Sequence, residues 1–147
     1  MSIKEQLTEA MKAAMRAQEK ERLGVIRLML SDFKQVEVDE RIELTDERAL
    51  AILDKMLKQR RESIRQYTEA KRNDLADKEQ FEIEIIQSFM PQPLSETEIA
   101  KIIDEAFELT AATSVKDMGK VMAHLKPQLQ GRADLAVVGA RVQARLA

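Results

Sequence analysis

An all-α fold is what this sequence predicts, and three observations predict it. Apolar residues recur at three- and four-residue intervals along most of the chain, and helix-capping residues stand in front of those runs. Only 4 Gly and 3 Pro interrupt 147 residues. With 44% hydrophobic and 34% charged residues, the chain is too apolar for disorder and too poor in turn residues for a β fold. The length suits one domain, or two very small ones.

The elements come in order along the chain. Ser2-Ile3-Lys4-Glu5 reads as a capping box ahead of a first helix carrying Leu7, Met11, Ala14 and Met15. A second helix, from about Lys20 to Val38, repeats Leu23, Ile26, Leu30, Phe33 and Val36. Its pattern breaks in Asp39-Glu40-Arg41-Ile42-Glu43, a loop or a short strand-like link. Thr45 then caps a long helix running to about Arg72, and Asn73 or Asp74 caps a fourth ending near Met90. Pro91-Gln92-Pro93 is the clear punctuation, since proline stops helices and stiffens linkers. Beyond it Ser95-Glu96-Thr97-Glu98 opens a helix with Ile99, Ile102, Ile103, Ala106 and Leu109. Another begins after Ser114, turning Val121, Met122 and Leu125 inward and stopping before Pro127. A last one, capped by Asp134, carries Leu135, Val138, Val142 and Leu146. The expected organisation is a four-helix N-terminal part with a long helix pair (1–90), a hinge at 91–93, and a three-helix tail domain (94–147).

Composition excludes much chemistry. Zero Cys removes disulfides, a thiol nucleophile, a thiolate zinc site and an iron–sulfur cluster. A single His, His124, leaves no His-pair metal site, so neither metal nor cofactor is expected. Gly24, Gly119, Gly131 and Gly139 are isolated, so no phosphate loop can be built. No apolar stretch is long enough for a bilayer, and Met1-Ser2-Ile3-Lys4-Glu5 lacks the pattern of a signal peptide. The expectation is a cytoplasmic protein with no membrane association. The methionines, such as Met11 and Met15 or Met118 and Met122, sit at helical spacing and read as adaptable core packing, a softness that would also suit a helix-binding groove.

Charge is distributed unevenly. Residues 1–54 carry −3, 55–72 carry +5, 73–110 carry −8 and 111–147 carry +4. On the long helix Arg60, with Arg61 at the edge, shares the apolar arc. On the next helix Glu79 and Glu82 lie within the arc of Leu75, Ile83, Ile86 and Phe89. Charges on apolar faces need partners. Such carboxylates could do acid–base work, but neighbouring arginines would lower their pKa values, the wrong direction for a general acid. An Arg–Glu network locking two helices is therefore the expected role. In the tail, Lys116 with Lys120 and Arg141 with Arg145 are four apart, and together with Lys126 and Arg132 they could track a phosphate backbone. No aromatic follows Phe107, so any RNA contact there would read backbone and shape.

Several stretches together resemble one family. Gln59-Arg60-Arg61-Glu62-Ser63-Ile64, Arg72-Asn73-Asp74-Leu75, Glu79, Glu82, Phe89-Met90-Pro91 and Leu94-Ser95 resemble the GatB/YqeY family, as do Asp117-Met118-Gly119-Lys120-Val121-Met122 and Gly131-Arg132-Ala133-Asp134. Leu135 departs from it, standing where the stand-alone family often has Gly. The resemblance implies an all-α fold whose C-terminal part is similar to the tail domain of the B subunit of the tRNA-dependent amidotransferase. That tail helps hold tRNA, while phosphorylation and glutamine-dependent amide transfer occur elsewhere. The resemblance thus implies an association with carbon–nitrogen ligation and no catalytic residue. The implied partners are tRNA or a protein of the amidotransferase or tRNA-synthetase type. A protein–protein module without nucleic acid is the alternative. Gly119 is expected to admit a neighbouring helix, and Gly131 to take the left-handed conformation that ends a segment.

Overall fold

A computed structural model describes all 147 residues as helices and short connections, with no strand. It divides into two compact units, Met1–Pro91 and Gln92–Ala147.

The first unit holds α1 (Ile3–Arg16), α2 (Lys20–Glu40), α3 (Asp46–Glu69) and α4 (Asn73–Gln87). Helix α1 starts where Ser2 Oγ accepts the Glu5 N–H at 3.1 Å. Its orphan Ile3 N–H donates to Asp46 Oδ1 at 3.0 Å, which ties the start of α1 to the start of α3. Helix α2 runs two residues beyond the expected end, because Arg41 closes it in the left-handed conformation and leaves only a short link to Thr45. Thr45 caps α3 as expected, accepting from the Arg48 N–H. Helix α3 stops at Glu69 rather than Arg72, since Lys71 adopts φ 59°. Neither Asn73 nor Asp74 caps α4; Arg72 holds that place, and the Asp74 carboxylate is drawn aside by the Arg72 guanidinium at 3.2 Å. Helices α3 and α4 pack most extensively, and their three-residue connection makes them an antiparallel pair. The core is aliphatic apart from Phe33 and two methionines: Leu7, Ile26, Met29, Phe33, Leu53 and Ile86 are fully buried, and Met56 nearly so. Met11 packs against this core from its edge, whereas Met15 is exposed at the end of α1.

The second unit holds α5 (Glu96–Thr110), α6 (Met118–Leu129), preceded by one 3₁₀ turn at Val115–Asp117, and α7 (Leu135–Leu146). Ser95 and Glu98 form a complete capping box at α5. Asp134 caps α7 by accepting the Ala136 N–H at 3.0 Å. Helix α6 does not stop before Pro127 but passes through it to Leu129. The inward stripe Val121, Leu125 and Leu129, all fully buried, continues across the proline, so burial outweighs the one hydrogen bond lost. Gly131 takes φ 76°, the left-handed conformation expected of it. Gly119 does not admit a neighbouring helix: a Cβ there would meet nothing within 4 Å. The glycine facing a neighbour is Gly139, whose Cβ position lies 3.9 Å from Met122 Cε and 4.0 Å from Met118 Cε.

Two substitutions probe this unit. Ser95→Ala removes the cap and is expected to cost about 1 kcal/mol. Gly131→Ala forces an L-residue into positive φ at a similar cost, about 1 kcal/mol. Hydrogen exchange of the α5 amides and urea unfolding read both losses.

Candidate functional site

On the α3–α4 seam, Arg60 Nε donates to Glu82 Oε2 at 3.1 Å, with both side chains largely shielded at 13% and 14% exposure. Arg60 also donates from one terminal nitrogen to the Met56 carbonyl at 3.3 Å, one turn back on its own helix. The seam explains this geometry. Positions 60 and 82 lie eleven residues either side of Lys71 in the α3–α4 turn, so antiparallel packing brings them level. Arg61 is exposed and takes no part.

Glu79, one turn before Glu82 on α4, departs from expectation in sign. Burial pushes its carboxyl above the ordinary range, and the charge of Glu82 and the hydrogen bond between the two carboxyls push the same way. Arg60 and Lys78 oppose this without overcoming it. The neighbouring arginines therefore fail to lower this carboxyl, because only Arg60 faces the pair and it hydrogen-bonds Glu82. Two carboxyls side by side, one of them raised by burial, form an arrangement capable of proton transfer. It is also what a carboxyl at a tight helix seam does with no substrate present.

In the second unit the expected basic stripe is divided. Arg141 reaches Glu96 at 3.0 Å, and Arg145 is hydrogen-bonded to Asp104 while its guanidinium lies 4.3 Å over the Phe107 ring. Both arginines on α7 thus face the acidic helix α5, where a phosphate-tracking face had to point away from it. Arg132 is engaged as well: its Nε donates to the Gln92 carbonyl at 3.3 Å and its own carbonyl accepts the Leu94 N–H at 2.9 Å. All three side chains are thus engaged within the unit, in contacts that remain largely exposed.

What stays open is one face of α6 and of the 3₁₀ turn that leads into it. Lys116, Lys120 and Lys126 are exposed, and Gly119 and Ala123 lie between them on the surface. The nearby Asp117 carboxylate accepts from the Thr113 and Ser114 N–H groups at 2.9 and 3.3 Å, which holds its pKa below the usual range. His124 is half-buried, with its carbonyl accepting from Gln128 Nε2. No group of His, Cys, Asp and Glu is placed to hold a metal ion, and no helix is long and apolar enough to cross a membrane.

The chain matches the family model described as Yqey-like protein over residues 4–146. It is similar to several proteins each named Altered inheritance of mitochondria protein 41, mitochondrial. The one from Eremothecium gossypii is 34% identical over 123 residues, covering 81% of this chain and 67% of that protein. The one from Vanderwaltozyma polyspora is 32% identical over 120 residues, 76% of this chain and 64% of that protein. The one from Pyrenophora tritici-repentis is 27% identical over 136 residues, 90% and 75%. The chain thus spans 64 to 75% of the length of these relatives.

Two outcomes are expected of the seam. A double-mutant cycle of Arg60→Met with Glu82→Gln is expected to show coupling of about 1–3 kcal/mol, the range for a shielded but not fully buried charged pair; additive effects would refute it. Glu79→Gln is expected to stabilise the protein near neutral pH. The fold favours the protonated carboxyl, so the stability it contributes is present below the ordinary carboxylate pKa and is lost as pH rises through the raised one. The gain from Gln should vanish as pH falls below the ordinary carboxylate range, read by urea unfolding across pH.

Proposed function

The chain belongs to the Yqey-like family, and from that membership we propose that it is a non-catalytic accessory protein of tRNA-dependent amidation whose second unit holds RNA on the open face of α6. Its part in glutamine-dependent carbon–nitrogen ligation is to present tRNA, or an amidotransferase or tRNA-synthetase-type protein bound to it, to chemistry carried out elsewhere. The single observation behind this reading is the face of α6 itself: three exposed lysines around two positions that carry almost no side chain. A phosphate chain can approach such a backbone closely, and lysines act on it as point charges that read no base. The similarity of Gly119-Lys120-Val121-Met122 and Gly131-Arg132-Ala133-Asp134 to the amidotransferase tail motifs supports the same reading. Within this chain there is no Cys for glutamine hydrolysis and no phosphate loop for ATP, so both steps belong to a partner.

The contact set is narrower than composition suggests: Lys116, Lys120 and Lys126 bind, while Arg132, Arg141 and Arg145 are engaged within the unit. We place this work in the cytoplasm, or in the mitochondrial compartment that the relatives' names carry; both contain tRNA.

Labelled tRNA titrated at about 50 mM and about 200 mM salt tests the proposal. Wild type is expected to lose affinity log-linearly with salt, and replacing the three lysines by Gln to flatten the slope by about 2, at roughly 0.7–0.9 per contact. Lys→Arg at the same positions keeps the slope, and Arg141→Gln leaves it unchanged. Absence of binding at low salt, or equal binding by the triple variant, makes the protein-only module the better reading.

A further inference from the structure

The link from α5 to α6 contains no buried residue. Ala112 and Met118 pack against the core of the second unit, but between them Thr113, Ser114, Val115 and Lys116 are exposed and Asp117 is half-buried. Burial therefore does not fix the conformation of this link, and its hydrogen bonds must. The 3₁₀ turn supplies two: the Asp117 N–H donates to the Ser114 carbonyl at 2.9 Å, and the Met118 N–H donates to the Val115 carbonyl. Bonds of this type have poorer geometry than those of an α-helix and hold short pieces weakly.

A side chain adds the stronger tie. Asp117 Oδ2 accepts from the Thr113 N–H at 2.9 Å and from the Ser114 N–H at 3.3 Å. One carboxylate oxygen thus gathers two successive amides, and Val115 and Lys116 form the arc that this contact closes. Bonds from backbone N–H groups to an ionised acceptor are stronger than neutral ones.

The consequence falls on Lys116. Cations four apart on one helix stand side by side, but residue 116 lies outside α6, in the 3₁₀ turn. The helix alone sets the place of Lys120; the closed turn sets the place of Lys116. As a charge, Asp117 opposes a polyanion on this face. As an acceptor it shapes the face. Substitution separates the two effects.

We infer that Asp117 is a positioning residue of the α6 face: by tying the Thr113 and Ser114 amides it holds Lys116 beside Lys120, so that both meet one phosphate backbone. This rests on the RNA-holding reading of that face.

The test uses the full chain and labelled tRNA at about 50 mM and about 200 mM salt. Asp117→Asn and Asp117→Ala remove the same negative charge, and only Asn keeps an acceptor oxygen. Asp117→Asn is expected to bind at least as tightly as wild type, with the salt slope unchanged. Asp117→Ala is expected to flatten the slope by about 0.7–0.9, the value of one phosphate contact. Lys116→Gln should flatten it equally in wild type and in Asp117→Asn, and not at all in Asp117→Ala, where that contact is already lost. Without RNA, hydrogen exchange at the Thr113 and Ser114 amides should quicken in Asp117→Ala and stay near wild type in Asp117→Asn, while circular dichroism shows the helical content kept. Equal slopes for the Asn and Ala variants, a further loss from Lys116→Gln in Asp117→Ala, or unchanged exchange in Asp117→Ala overturns the positioning role and leaves RNA binding standing. No tRNA binding by wild type overturns the RNA reading, and the positioning role with it.

Discussion

Both units depend on one constraint: each helix has a single aliphatic face to bury, and nothing else can hold the chain together. Aromatic residues are 3% of the sequence and Cys is absent, so neither ring stacking nor a cross-link supplements burial of Leu, Ile, Val and Met. The buried set contains no polar or charged side chain. Every charge must therefore reach water or sit at the rim of a helix seam, where a partner from the neighbouring helix can meet it. The Arg60–Glu82 contact is one such rim pair, and Arg141–Glu96 and Arg145–Asp104 follow the same rule in the second unit.

Segment charge is for this reason a poor guide to available charge. Residues 55–72 sum to +5, yet Arg60, Arg65 and Arg72 are engaged by Glu82, by Glu62 and Glu69, and by Asp74. Residues 111–147 sum to +4, and there all three arginines are engaged while the three lysines remain exposed. The division follows side-chain chemistry. A guanidinium offers a fork of donors suited to a carboxylate or a carbonyl, whereas an ammonium is better hydrated and stays in solvent. In a small helical unit arginines go to internal contacts first, and what reaches a polyanion is lysine.

The fold was legible because helix periodicity, Ser95, Thr45 and Asp134 all pointed the same way, as local and tertiary preferences tend to in foldable sequences. The helix boundaries that differ from expectation were decided by backbone conformations that no residue type announced. Arg41 and Lys71 both adopt positive φ without being glycine or asparagine. Pro127 does not end its helix because a proline in the last turns loses one bond, and the buried stripe through Leu129 decides the outcome. The Arg60–Glu82 seam could be anticipated because both residues lie on apolar arcs. The sign of the Glu79 shift could not, since it depends on which carboxylate the single inward arginine takes. The pairing of the tail arginines was equally hidden, because α5 and α7 are neighbours only after folding.

The glycines show where the fold and its surroundings divide the work. Gly131 is required by its own backbone angle. Gly139 faces the methyl groups of Met118 and Met122, where a Cβ would sit at ordinary van der Waals distance. Gly24 and Gly119 are of another kind: both are helical and exposed, and a Cβ at either would meet nothing within 4 Å. At these two positions the helix bears a propensity cost with no internal return. Gly24 lies between exposed Leu28 and Phe81, and Gly119 among Lys116, Lys120 and Lys126. At both positions the cost is borne by the helix alone, and no packing contact in either unit offsets it.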